Sequence, residues 1–197
     1  IVVLIERSAD KIMIKSSTSI KQKLLFVCLT ITLVPLTLFG SLAIKTSFSD
    51  GPSVLFSGGP LISGEMMTGQ EPDWSFVRNI RTFELQLMSP ARSRTLWIVE
   101  HNGKLYLNSN YMGGIRQRLW KRWPEQAERD GRAIMRIDGK RYQRNLIRIK
   151  SGPIVNDVTQ AFSEKYPVTM TPAEVEAEEL WLFELAPNNQ EINGDIR

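Results

Sequence analysis

Three hydrophobic rhythms divide this chain. From Leu24 to Ile44 the sequence LLFVCLTITLVPLTLFGSLAI runs 21 residues without a charge, about the length an α-helix needs to cross ~30 Å of hydrocarbon. Further on, apolar residues recur at every second position. In TFELQLM, Thr82 to Met88, Phe83, Leu85 and Leu87 alternate with polar neighbours, which predicts a half-buried strand. RTLWIVE (Arg94 to Glu100) and KLYLNSN flank His101-Asn102-Gly103, and RAIMRI (Arg132 to Ile137) and KRYQRNLIRI (Lys140 to Ile149) flank Asp138-Gly139. Asn-Gly and Asp-Gly supply the two positive-φ positions of a type I′ turn, so two hairpins are predicted, with Lys104 to Asn108 as the return strand of the first.

A third rhythm, with four-residue spacing, appears between the hairpins. Gly113-Gly114 breaks the chain, and Ile115, Leu119 and Trp123 then mark a short helical face, with Pro124 ending one turn and starting another. Trp74 to Ile80 reads as a helical turn or an extended edge. Lys140 to Ile149 does not alternate cleanly, which suggests a bulge. Asp157 to Lys165 reads as a helix, Thr171-Pro172-Ala173-Glu174 fits a capping box with proline at the first helical position, and Leu180 to Leu185 closes with a sixth strand. Short strands interrupted by short helices predict a mainly β fold, a closed or partly open antiparallel barrel. The expected organisation is a basic terminus (1–23), an apolar segment (24–44), a glycine- and proline-rich linker or surface-hugging lead-in (45–73) and the barrel domain (74–197).

Charge sharpens this picture. Arg78 to Lys150 holds 17 Lys and Arg against 6 Asp and Glu, whereas Asn156 to Arg197 holds 2 against 9. Such a split means pairing within the domain, a surface for an anionic ligand, or both. Arg7, Lys11, Lys15, Lys21 and Lys23 precede the apolar run and only Lys45 follows closely. This bias places the amino terminus in the cytoplasm and the barrel outside, on a single-pass inner or plasma membrane anchor. The alternative is an export signal, with Met13 as its start and cleavage near Ser41-Leu42-Ala43. Nucleic-acid binding is then disfavoured, since the exported part is nearly neutral.

Candidate chemistry is sparse. The one cysteine, Cys28, lies in the apolar run, and the one histidine, His101, sits at a hairpin turn with no second ligand at metal spacing. No metal site is expected, and a turn histidine is most simply solvated. GxGxxG after a strand, GxxxxGK[ST], GxSxG and HExxH are all absent.

The runs SRTLWIVEHNGKLYLNSNYMGG and LWKRWPEQAERDGRAIMRIDGKRYQRNLIRI resemble the flavin-binding split-barrel superfamily, that of pyridoxamine-phosphate oxidase-like proteins and deazaflavin-dependent nitroreductases. The positions that carry the resemblance are Arg94-Thr95, Asn102-Gly103, Gly113-Gly114, Trp120 to Trp123 and Gly139 to Tyr142. It implies a split barrel, often a homodimer with cofactor sites between subunits, binding FMN, deazaflavin or, in some relatives, heme. In that setting Arg92, Ser93, Arg94 and Thr95 suit a flavin phosphate or a deazaflavin's anionic tail, because guanidinium forks match phosphate oxygens and the hydroxyls add donors. The plainer reading of Arg92 and Arg94 is that they pair with the acidic tail. Asn108, Ser109 and Asn110 fall near where an isoalloxazine edge would lie in such a barrel. Lys121 and Arg122, between Trp120 and Trp123, offer an anion contact beside a stacking ring. The implied activity is reduction of a small organic acceptor by an FMN- or deazaflavin-dependent reductase. The other reading is a non-catalytic exported barrel that binds a ligand or partner.

Overall fold

The structure is a computed structural model. It describes residues 2–53, 56–110, 112 and 121–188, with side chains from residue 20 onward. The chain forms two compact units, Ile1–Lys45 and Thr46–Arg197.

The first unit belongs to a helix, α1 (Val2–Ser47), with Pro35 inside it. Leu24, Phe26, Ile31, Leu36, Phe39 and Ile44 all stand exposed on it. The stretch Ile20–Ser47 is long and apolar enough to span a membrane or to act as a signal sequence. Its hydroxyls are satisfied within the helix: Thr30 Oγ1 donates to the Phe26 carbonyl at 2.8 Å, and Thr37 Oγ1 to the Leu33 carbonyl at 2.9 Å. Internal satisfaction of polar groups is what a segment in hydrocarbon requires.

The second unit is mainly antiparallel sheet. In chain order its elements are β1 (Glu65–Met67), a 3-10 helix (Trp74–Asn79), β2 (Thr82–Met88), β3 (Ala91–Trp97), β4 (Val99–His101), β5 (Lys104–Ser109), α2 (Trp123–Arg129), β6 (Arg132–Ile137), β7 (Lys140–Ile149), α3 (Ile154–Lys165), α4 (Pro172–Glu176) and β8 (Trp181–Pro187). Strand order across the sheet is β3-β2-β6-β7-β8-β5-β4, and β1 lies parallel to the first residues of β7. Both predicted hairpins form: Asn102 and Gly103 have φ of 52° and 76°, and Asp138 and Gly139 of 48° and 72°, as type I′ turns demand.

Sequence alternation predicted one strand from Arg94 to Glu100, and the structure corrects this. The chain leaves β3 at Trp97 and enters β4 at Val99, so a single residue, Ile98, joins the two opposite ends of the strand order. A sheet whose end strands lie one residue apart in sequence has to curl, and the result is a half-barrel. Groups beyond the sheet satisfy the corner. The Ile98 N–H donates to the Tyr166 hydroxyl at 3.0 Å, and Lys165 Nζ donates to the Ile98 and Val77 carbonyls at 2.7 Å each. Tyr166 and Lys165 lie more than 60 residues downstream, so no local pattern could reveal this break.

Phe83, Leu85 and Leu87 of β2, Leu105 and Leu107 of β5, Met135 of β6, and Phe183 and Leu185 of β8 fill the concave side. A second cluster covers the other face at one end. There Val155, Val158 and Phe162, at helical spacing on α3, pack on Tyr106 and Leu182. The capping box at Thr171 forms with Glu174 as expected. No bulge interrupts β7, since its register with β6 and then β8 runs without a skipped residue. Its irregular alternation arises because Arg144, not an apolar residue, occupies a buried inward position.

Residues 56–64 lie along the convex face. Gly58 bridges Ser93, the Leu61 N–H donates to Gln86 Oε1 at 2.7 Å, and Arg141 Nη1 donates to the Leu61 carbonyl at 2.8 Å.

Candidate functional site

Directly opposed residues on paired strands share a face. Arg94 opposes Leu85, Arg144 opposes Ala133, and Arg148 opposes Phe183, all three partners being core residues. Three arginines therefore project toward the concave side, each with a buried Nε that lacks a hydrogen-bond partner. Burying a guanidinium is costly unless opposite charge accompanies it.

Two of the three have that charge. Arg144 forks onto Glu71, with Nη1 to Oε1 at 2.8 Å and Nη2 to Oε2 at 2.9 Å, and lies over the Trp74 ring at 5.1 Å. Arg148 reaches Glu128 at 2.9 Å and Glu178 at 3.4 Å, and its guanidinium sits 3.3 Å from the centroid of the Trp181 ring. Arg94 has no carboxylate partner among the described residues. It lies over the Trp123 ring at 5.5 Å, and burial pulls its pKa down to about 10. Helix α2 places Trp123 there. Pro124 occupies the first turn, and Gln126 Nε2 donates to the Ser89 carbonyl, tying α2 to the β2–β3 turn.

The strand's period of two separates the residues predicted around Arg94. Arg92 and Arg94 point to the concave side, whereas Ser93 and Thr95 point away. Arg92 Nη1 donates to the Ser47 carbonyl at 3.4 Å. Ser93 is wholly buried and its hydroxyl donates to the Gly59 carbonyl at 2.6 Å. Asn108 donates to the Asn110 side-chain carbonyl, while Ser109 faces the other way and donates to Met112 Sδ at 3.5 Å. Lys121 Nζ donates to the Asn110 carbonyl at 3.1 Å, and burial lowers its pKa. The structure thus joins Asn108, Asn110 and Lys121 in one chain of contacts, and Arg94 with Trp123 in another. Arg122 is exposed. Trp120 and Gly113-Gly114 lie outside the described residues.

Thr95 lines an open cleft of about 440 Å³ on the convex face, with Thr82, Glu84, Arg136, Asp138 and Gly139. Its charges are already matched. Arg136 pairs with Glu84 and with Asp50, the latter at 2.8 Å, and donates to Ser63 Oγ at 2.7 Å. Desolvation pushes the Asp50 carboxyl up, but the Ser63 hydroxyl, the Ile62 and Ser63 amides and Arg136 together hold it well below the ordinary range.

The expected pairing between basic barrel and acidic tail occurs elsewhere. Lys104 pairs with Glu184 at 3.0 Å, Arg148 with Glu178, and His101 Nε2 lies 3.6 Å from Asp157 Oδ2. Sequence reasoning missed Arg144 and Glu71. The arginine was detectable as a charge interrupting the inward series Tyr142, Leu146; nothing local marked Glu71, which meets Arg144 from 73 residues away.

No family model and no curated protein matches this chain. Among solved structures it is similar to a conserved hypothetical protein from Mycobacterium tuberculosis, at 14% identity and TM-score 0.43, over 61% of this chain and 86% of that one. It is also similar to a NimC/NimA family protein from Clostridium acetobutylicum, at 14% identity and TM-score 0.37, over 56% of this chain and 74% of that one.

Proposed function

We propose that this chain is a membrane-attached split barrel that binds FMN or a deazaflavin and reduces a small organic acceptor, with Arg94 receiving the cofactor's anionic group. One observation carries the reading. Arg94 is a largely desolvated cation with a buried, partnerless Nε and no described carboxylate, while Arg144 and Arg148, the other concave-side arginines with a buried Nε, both have one. A phosphate or an anionic tail supplies the missing charge and accepts from the guanidinium fork.

The residues present fit the anionic part of such a group. Arg94 would hold it, Trp123 would shield that contact from water, and the desolvated Lys121 ammonium would add positive field. Ser93 and Ser109 already direct their hydroxyls to partners within the chain, so the binding set is narrower than the sequence suggested. When bound, a flavin or deazaflavin supplies hydride or electron transfer, and the protein contributes binding, orientation and field. No side chain needs to act as a nucleophile. The basic residues that precede the apolar run, Arg7 to Lys23, support an anchor with its amino terminus in the cytoplasm and the barrel outside. A homodimer belongs to the same reading.

The commitment of Ser93, Asn108 and Ser109 to partners within the chain favours a second reading, a non-catalytic barrel that binds a ligand or partner. The absorption spectrum of the full chain purified in detergent separates the two. Copurified flavin colour, or a rise in melting temperature on adding FMN or a deazaflavin, supports the first. A colourless protein whose melting temperature neither ligand moves overturns it.

A further inference from the structure

We infer that the open cleft on the convex face is a second binding site, one that takes the ring of an uncharged sugar. The cleft and the Arg94 side chain lie on opposite faces of the sheet, so the two sites are independent. Thr95 of β3, Glu84 of β2 and Arg136 of β6 oppose one another in register, and their side chains stand in one row on the convex face. Thr82, two residues before Glu84, adds a second hydroxyl to that face. The Asp138-Gly139 turn forms one rim, and Gly64 lies so close to the Gly139 carbonyl that no Cβ would fit between them. Paired strands and a tight turn make these walls, so the cleft is formed before a ligand arrives and little ordering is needed on binding.

The charges in the cleft disfavour an ionic ligand. Arg136 is saturated from within the chain: Nε donates to Glu84 Oε2, Nη1 donates to Asp50 Oδ1 at 2.8 Å and to Ser63 Oγ at 2.7 Å, and Gly51 stands against Nη2 with no room for a Cβ. The two carboxylates on this fork outnumber its one positive charge and Asp138 adds another, so an anion entering the cleft meets net negative charge. A cation finds Glu84 already committed to Arg136. Asp138 stands exposed to water, where a single ion pair is worth little.

What stays open is a set of hydrogen-bonding groups. The Thr82 and Thr95 side chains are exposed, and neither hydroxyl has a partner among the described residues; Glu84 Oε1 has none either. A hydroxyl both donates and accepts, and a carboxylate oxygen accepts. Two hydroxyls beside a carboxylate oxygen therefore match neighbouring ring hydroxyls, which donate and accept in the same way. The volume of about 440 Å³ lies within the range of sites for small ligands. A free monosaccharide and the end of an oligosaccharide present the same chemistry.

Saturation-transfer NMR on the full chain, held in a detergent without a sugar headgroup, tests this with glucose, maltose, glucuronate and glucosamine. Glucose and maltose should receive saturation. Glucuronate should bind about fivefold more weakly than glucose, the size of one exposed charge interaction, and glucosamine no more tightly. Thr82→Val and Thr95→Val keep the β-branched shape and remove a hydroxyl. Each should weaken glucose binding about fivefold, the worth of one hydrogen bond, at an unchanged melting temperature. Stronger transfer to maltose than to glucose supports the site for an oligosaccharide end, and equal transfer supports it for a free monosaccharide. No transfer to either neutral sugar overturns the site. Tighter binding of glucuronate or glucosamine than of glucose assigns the cleft to an ion and overturns it as well. Glucose binding that survives the change of both threonines in a folded chain overturns its placement here.

Discussion

Arg144 and Arg94 make the same kind of contact with opposite consequences. Both come from strands facing the concave side and both lie over a tryptophan, Trp74 at 5.1 Å and Trp123 at 5.5 Å. Arg144 meets a carboxylate through both fork nitrogens, and Glu71 also accepts from the Trp74 indole at 2.9 Å. That end of the barrel is a closed polar network, and it pins the segment carrying Glu71 across the sheet. At Arg94 the aromatic ring is present, but no carboxylate among the described residues meets the guanidinium. A fold gains nothing by burying a cation without its partner, so the contrast sets a structural arginine apart from the one to which the proposed function gives a ligand.

The largest expected effect comes from removing the carboxylate where it exists. Glu71→Ala leaves Arg144, whose side chain is 1% exposed, without a partner that is itself 38% exposed, and should cost about 2 kcal/mol, less than the penalty for stranding one member of a fully buried pair. A shift of the urea midpoint measures it, and an unchanged midpoint would break the comparison at its structural end. Arg94→Leu should do the reverse. It removes a cation that nothing in the described chain compensates, so stability should hold or rise by about 1 kcal/mol. A loss as large as that of Glu71→Ala would show that Arg94 is structural after all.

A smaller, local effect is expected from acid. Asp50 has its pKa depressed below the ordinary 3.8, so its contribution is fully present above that value and is lost as pH falls through the folded pKa. Hydrogen exchange at the Ile62 and Ser63 amides, corrected for intrinsic rates, should therefore accelerate below about pH 4. Arg94 pairs with no carboxylate among the described residues, so the amides of β3 around it should show no comparable change. Equal acceleration at both places would contradict the pairing described here.

The sequence made the barrel legible where local chemistry determined it. Asn102-Gly103 and Asp138-Gly139 announced both hairpins, and Phe83, Leu85 and Leu87 announced the inward face of β2. It hid the corner at Ile98, which depends on Tyr166 and Lys165, and the Glu71–Arg144 fork, which depends on a residue in a segment without periodicity. At the candidate site, residue type was legible and direction was not. Arg92, Ser93, Arg94 and Thr95 read as one cluster in sequence, yet a strand sends alternate members to opposite faces, and only the paired register decides which reach the concave side.

A thermal-shift comparison of FMN with riboflavin, which differ by the phosphate, tests the proposed role of Arg94 most directly when run on the full chain and on Arg94→Leu. The account predicts that FMN raises the melting temperature more than riboflavin in the wild-type chain, and that this gap closes in Arg94→Leu. Equal shifts for the two ligands in the wild-type chain, or a gap that survives the substitution, would contradict it.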